Sequence, residues 1–141
     1  MDGEVGSNGS KRRTTNQIAG DAAEELVATL LAARGWSILS RNVHAGRSEL
    51  DIVAVDPGPP ARLVVVEVRW RRSRGFGLAE ESFDSRKRAR LVRGIGRLLE
   101  AGCLPDGRPL PRLPIALDVA VVEPRVGAKP SVKLYRDALA L

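Results

Sequence analysis

Aromatic side chains are scarce in this sequence: Trp36, Trp70, Phe76, Phe83 and Tyr135 make up 4% of the chain. So few rings leave little platform for holding single-stranded nucleic acid by base stacking. Cys103 is the only cysteine, which excludes a disulfide scaffold and leaves it without a metal-ligating partner at the usual spacing, so it reads as an inert thiol. His44, the only histidine, falls in an expected loop beside Gly46 and does not read as a catalytic base. No apolar run approaches the roughly 20 residues that cross a bilayer. Met1 to Arg13 hold no apolar stretch of the kind a secretory signal needs, and the glycines follow no three-residue period.

What is present is a chain of 141 residues, 43% hydrophobic and 28% charged, enough for one buried core and too short for two conventional domains. The expectation is a soluble, cytoplasmic protein with no membrane partner: a disordered tail over residues 1–15, then a single domain over 16–141. A homo-oligomer is left open. The net charge is +6, and its location matters more than its size. Between Arg69 and Arg97 stand ten basic residues and three acidic ones, while the rest of the chain carries a net −1. A concentrated positive field of this kind attracts polyanions, nucleic acid first. The residues expected to meet phosphate are Arg71, Arg72, Arg74, Arg86, Lys87, Arg90, Arg93 and Arg97. The plainer reading is a solvated helix face in an arginine-rich composition.

Apolar spacing predicts a helix from about Asn16 to Arg34, on Ala23, Leu26, Val27, Leu30 and Leu31, stopped by Gly35. Three strands follow, Trp36 to Ser40, Glu49 to Val55 and Arg62 to Trp70, the last two joined by a turn at Asp56-Pro57-Gly58-Pro59-Pro60. Leu63 to Val66 are continuously apolar, as in a central strand covered on both faces. A second helix spans about Ser85 to Ala101, with Leu91, Val92, Ile95, Leu98 and Leu99 as its apolar stripe. A loop rich in proline and glycine, Gly102 to Pro114, precedes strands at Ile115 to Val122 and, at an edge, Ser131 to Tyr135. The order α-β-β-β-α-β-β predicts an α/β domain with a mixed central sheet flanked by helices.

Acids are placed unusually on the paired strands. Residues two apart share a strand face, so Glu49 and Asp51 are expected to point one way, and Glu67 and Arg69 to do likewise on the neighbouring strand. Asp51 and Glu67 can then approach across the ladder. Glu67 follows four apolar residues, where an unpaired carboxylate is costly. Two acids near a strand end suggest a hard cation, Mg²⁺ or Mn²⁺.

Asp51, fifteen residues, then Glu67-Val68-Arg69 resembles the Asp…Glu-x-Lys core of restriction-endonuclease-like nucleases. Gly20-x-x-x-Glu24, Gly35-Trp36, Arg41-Asn42, Glu49-Leu50-Asp51-Ile52-Val53, Val66-Glu67-Val68-Arg69, Gly75-Phe76-Gly77, Lys87 and Leu117-Asp118-Val119 together resemble the successive motifs of the YraN family, uncharacterised protein family 0102. That resemblance covers roughly residues 17–123 and implies a restriction-endonuclease-like fold. It implies an acidic cluster of Glu24, Asp51 and Glu67, with Asp51 and Glu67 as metal ligands and Arg69 at the basic position. The implied chemistry is Mg²⁺-dependent hydrolysis of DNA phosphodiester bonds, by analogy with archaeal Holliday-junction resolvases on branched or distorted DNA. The alternative is a nucleic-acid-binding or adaptor protein with a vestigial site; a protein-interaction module is the third class.

Two positions depart from the family pattern. Arg69 stands where lysine is usual, and a guanidinium does not lose its proton near neutral pH. Ser48 stands where glycine commonly precedes Glu-Leu-Asp, which is expected to alter the turn. Several residues also have structural readings. Glu67 and Arg69 can be a surface ion pair on an edge strand, Glu24 a solvated helix acid, and Glu49 a partner of Arg41 or Arg47. Lys87 can be one of several interchangeable charges, and Asp118 half of a structural ion pair.

Overall fold

The computed structural model describes residues 15–71 and 85–140. Residues 1–14 of the expected tail, Arg72, Arg74 and the Gly75-Phe76-Gly77 motif lie outside the described residues, while Thr15, the last residue of that tail, is already helical. The elements run α1 (Thr15–Ala33), β1 (Ser37–Ala45), β2 (Ser48–Asp56), β3 (Arg62–Trp70), α2 (Ser85–Ala101), β4 (Ile115–Arg125) and β5 (Ala128–Tyr135), then a short 3₁₀ turn at Ala138–Ala140. No helix among the described residues is long and apolar enough to cross a membrane.

Helix α1 buries Ala23, Val27 and Leu31, four residues apart on one face. Its C-terminus closes in a Schellman arrangement: the Trp36 N–H donates to the Leu31 carbonyl and the Gly35 N–H to the Ala32 carbonyl, each at 3.0 Å. Gly35 takes φ +94°, which explains why glycine stops the helix there. Trp36 is thereby delivered into the core beside Leu31 and lies outside the following strand. That strand, β1, runs on to Ala45, so His44 lies in a strand and not in the expected loop.

The five strands lie in the order β1-β2-β3-β4-β5. β1 with β2, β2 with β3, and β4 with β5 are antiparallel; β3 and β4 are parallel, joined by the crossover that contains α2. β3 is the central strand, and Leu63, Val64, Val65 and Val66 are all fully buried. Alternate β3 residues serve opposite layers. Leu63 and Val65 pack with Leu91, Ile95 and Leu98 of α2; Val64 and Val66 pack with Ala23, Val27 and Leu31 of α1. Among the described residues the architecture is therefore α/β, a mixed sheet with one helix on each face, consistent with a restriction-endonuclease-like fold.

On the α1 face, Asp118 of β4 is fully buried and held by the segment after β5. Its Oδ1 accepts the Asp137 N–H at 2.9 Å, and its Oδ2 lies 2.6 Å from Arg136 Nε. Arg136 also reaches Asp56 at 2.6 Å and lies over the Trp36 ring. Asp118 is thus half of a structural ion pair, as the apolar setting of its strand implies.

Candidate active site

Both members of the expected acid pair lie at one end of the sheet, where β3 leaves the core and β2 enters it. The β2–β3 register runs from Asp56↔Arg62 to Ile52↔Val66 and stops there. Beyond it, the Val68 N–H donates to Asp51 Oδ2 at 2.8 Å, so a side chain takes the amide after the ladder ends. Leu50 and Val53 both pack in the α2 layer although they are three residues apart. Regular alternation puts such residues on opposite faces. The expectation that Glu49 and Asp51 project from a regular strand is therefore corrected: Asp51 occupies a break in the alternation, its carboxylate folded against the β3 backbone.

Glu67 shares its face with Leu63 and Val65, on the α2 side, and is only 8% exposed. Burial pushes its carboxyl up to about 8, helped by the charge of Asp51 and a hydrogen bond to the Asp51 carboxylate. Lys87 and Arg69 pull the other way. Arg69 Nη1 lies 3.5 Å from Glu67 Oε2, so the ion pair considered from sequence exists, on the central strand and not on an edge.

Glu24 reaches the same region from α1. Its carboxyl is raised to about 7, by burial first and then by Asp51; Arg41, 3.8 Å away, opposes the rise. Arg41 is bound more closely to the exposed Glu25, at 2.6 Å. Asp51 thus feels Glu67 on one side and Glu24 on the other, and Glu24 is no simple solvated acid. Among the described residues no group of three His, Cys, Asp or Glu side chains is close enough to hold a metal ion. The two acids in contact are Asp51 and Glu67, with Glu24 as an electrostatic neighbour.

Lys87 stands apart from the other cations of α2. It lies in the first turns of α2, and its amine is held below the usual lysine range by burial and by the charge of Arg69, while Glu67 and Asp51 oppose that shift. A side chain that feels all three charges lies in the neighbourhood of the acid pair. The other α2 cations, Arg86, Arg90, Arg93 and Arg97, are exposed as expected. Arg71 is instead drawn into a 3.0 Å ion pair with Glu123 of β4, and Arg88 donates to the Leu139 carbonyl at 2.8 Å.

Ser48 and Glu49 also differ from expectation. Ser48 lies in β2, buried, and its Oγ donates to the Arg90 carbonyl at 2.8 Å, so it fastens α2 to the sheet and leaves the turn to Gly46, at φ +65°. Glu49 pairs with His44 at 3.7 Å and with neither Arg41 nor Arg47. A cavity of about 720 Å³, lined by His44, Arg97, Cys103 and their neighbours, includes none of the acids described above. Cys103 is a half-buried free thiol.

The profile of Uncharacterised protein family UPF0102 matches residues 23–122, a span that includes Glu24, Asp51, Glu67 and Lys87. A UPF0102 protein of Symbiobacterium thermophilum is 34% identical over 120 residues, 84% of this chain and 93% of that protein. One of Pseudomonas aeruginosa is 36% identical over 118 residues, 84% of this chain and 88% of that protein. One of Sorangium cellulosum is 40% identical over 97 residues; the match spans 69% of this chain but only 65% of that longer relative. The chain therefore belongs to Uncharacterised protein family UPF0102.

Proposed function

We propose that this chain is a divalent-metal-dependent endonuclease that binds branched or otherwise distorted DNA in the cytoplasm and hydrolyses phosphodiester bonds at Asp51 and Glu67. The observation that carries this reading is one carboxylate buried against another: Glu67, 8% exposed, leans on Asp51 and is pushed up to about 8. Burying like charges together destabilises a fold unless something compensates them, and a hard divalent cation turns the same repulsion into binding. Two carboxylates fit Mg²⁺ or Mn²⁺, since Mg²⁺ keeps several waters and takes substrate phosphate oxygens as further ligands. When bound, the ion supplies a Lewis acid for the phosphate and an acidified water.

The chain's own groups have definite parts. Asp51 is oriented by the Val68 amide and Glu67 by the central strand. Arg69 and Lys87 put positive charge beside the acids, where the phosphate develops negative charge in the transition state. Glu24, raised to about 7, titrates in the range a general acid or base needs. Arg86, Arg90, Arg93 and Arg97 present exposed cations along α2 for the phosphate backbone. A second reading, a nucleic-acid-binding or adaptor protein on the same fold, is favoured by Arg69: its guanidinium stands where the resemblance calls for lysine, and it is engaged with Glu67.

The test is cleavage of end-labelled duplex, four-way-junction and single-stranded DNA by the full chain with Mg²⁺ or Mn²⁺. Metal-dependent cleavage is expected, falling by about 100-fold or more in Asp51→Asn and in Glu67→Gln, with DNA binding kept or tightened. Cleavage that survives both substitutions contradicts the site. Binding without cleavage on every substrate selects the second reading.

A further inference from the structure

Beside the acid pair lies a smaller cavity of unusual lining. The start of β2 and the first turns of α2 enclose about 230 Å³ between Arg47, Ser48, Glu49, Lys87, Arg90 and Leu91. Three of these six side chains are cations and one is an acid. A void left by imperfect core packing is apolar; this one mixes apolar and polar surface and has more cationic than acidic residues around it. Its volume falls below the ~300 Å³ at which small-molecule pockets usually begin, which suits an oxyanion with its waters better than a nucleoside.

The cations are held by rigid parts of the fold. Ser48 Oγ donates to the Arg90 carbonyl at 2.8 Å, locking the α2 turn that carries Arg90 onto the strand that follows Arg47. One turn further along, a Cβ built on Gly94 comes within 2.8 Å of Ser48 Cβ, so helix and strand already approach as closely as glycine allows. No acidic side chain among the described residues pairs with Arg47 or Arg90. The single acid in the lining, Glu49, is engaged by the exposed His44 at 3.7 Å. Lys87 belongs to both places, lining this cavity and lying near enough to Glu67 and Asp51 to feel their charge.

We infer that this cavity is a phosphate seat, in which Arg47 and Arg90 clamp the backbone phosphate next to the one presented to Asp51 and Glu67, with Lys87 as the wall the two places share. The inference rests on the nucleic-acid reading above and adds the residues that fix the strand's register. Arginine suits the task because its planar fork gives two parallel hydrogen bonds to one phosphate. Contacts of this kind set position along the strand and carry no base sequence. An internal phosphodiester and a terminal 5′-phosphate offer the same oxygens, so both are chemically acceptable.

The experiment measures affinity of the full chain for DNA in the presence of EDTA, which removes cleavage from the result. The double variant Arg47→Gln/Arg90→Gln is compared with Arg34→Gln/Arg112→Gln, which removes the same charge from two exposed residues outside the cavity. The seat variant is expected to bind at least about tenfold more weakly than the control, with a log-affinity against log-salt slope shallower by about 1. Glu49→Gln is expected to tighten binding. Equal loss with and without a 5′-phosphate on the oligonucleotide assigns an internal phosphate; loss confined to the phosphorylated oligonucleotide assigns a terminal one. Equal weakening in seat and control variants overturns the inference, as does an unchanged seat variant. If the native chain binds no DNA, calorimetry with inorganic phosphate decides separately. Binding lost in the seat variant keeps the seat and removes the nucleic-acid reading, whereas no phosphate binding by the native chain overturns the seat.

Discussion

Asp51 Oδ2 accepts the backbone N–H of Val68 at 2.8 Å, so the acid that opens the site is oriented by the strand that carries its partner. The relation separates two roles of one side chain. Asp51→Asn keeps a carboxamide oxygen for the Val68 amide and is expected to leave unfolding stability within about 1 kcal/mol of native. Asp51→Ala leaves that amide without its acceptor and is expected to lose about 1–3 kcal/mol. Both variants are expected to lose Mn²⁺ binding. Urea unfolding beside Mn²⁺ calorimetry checks this; equal stability of the two variants removes the orienting role.

Glu67 gives a dependence on pH. Its folded value, about 8, lies above the ordinary 4.5, so the folded state holds a proton that the unfolded state releases. The folded state then binds more protons than the unfolded between those values, and stability falls as pH rises from 4.5 toward 8. Glu67→Gln removes the titration and is expected to be more stable than native at pH 8.5 by at least about 1.4 kcal/mol, the equivalent of one pKa unit. Near pH 4 the two are expected to agree closely. A variant less stable than native at pH 8.5 contradicts the assignment of cause.

Metal binding follows with the opposite slope. A divalent ion needs Glu67 ionised, so Mn²⁺ affinity is expected to rise between pH 6 and pH 8, by up to about tenfold per unit, and to level off above it. Calorimetry in buffers of different ionisation heat reads the released proton directly. Affinity independent of pH across this range excludes Glu67 as a ligand.

Arg69→Lys restores the residue that the nuclease resemblance calls for. Lysine presents a compact point charge where arginine presents a wide planar fork already engaged with Glu67 at 3.5 Å. The variant is expected to cleave at least as fast as native under the same Mg²⁺ conditions. Slower cleavage means that the arginine geometry itself serves the transition state.

Much of this arrangement is legible in the sequence, for physical reasons that differ by element. Helix α2 could be bounded because Leu91, Ile95 and Leu98 repeat on one face, and these are buried together with Gly94; Val92 and Leu99, expected in the same stripe, flank that face and are exposed. Glu67 stood out because four fully buried apolar residues precede it on β3. The full length of β1 was hidden because it is an edge strand, with three successive polar or charged residues, Ser40, Arg41 and Asn42, in its middle and no apolar alternation across them to mark it. The break at Asp51 was equally hidden, since a period of two assumes a regular ladder and the register ends at Ile52. Lys87 differs from Arg86 and Arg88 only in which way the helix turns it, and that depends on how Ser48 and Gly94 seat α2 on the sheet.

Gly94 offers a check on that seating. A methyl group there meets Ser48 Cβ at 2.8 Å and Leu50 Cδ2 at 3.2 Å, so Gly94→Ala is expected to destabilise by about 1–3 kcal/mol. Ser48→Gly removes the nearer contact and is expected to restore part of the loss in the double variant. Strict additivity of the two substitutions in urea unfolding contradicts the contact.

The most direct measurement is an anomalous difference map from crystals of the full chain soaked in Mn²⁺ at pH 8. The expected result is a peak between the Asp51 and Glu67 carboxylates, absent from crystals of Glu67→Gln treated in the same way. Crystals with no peak there, or with an equal peak in the variant, contradict a metal site built on this pair.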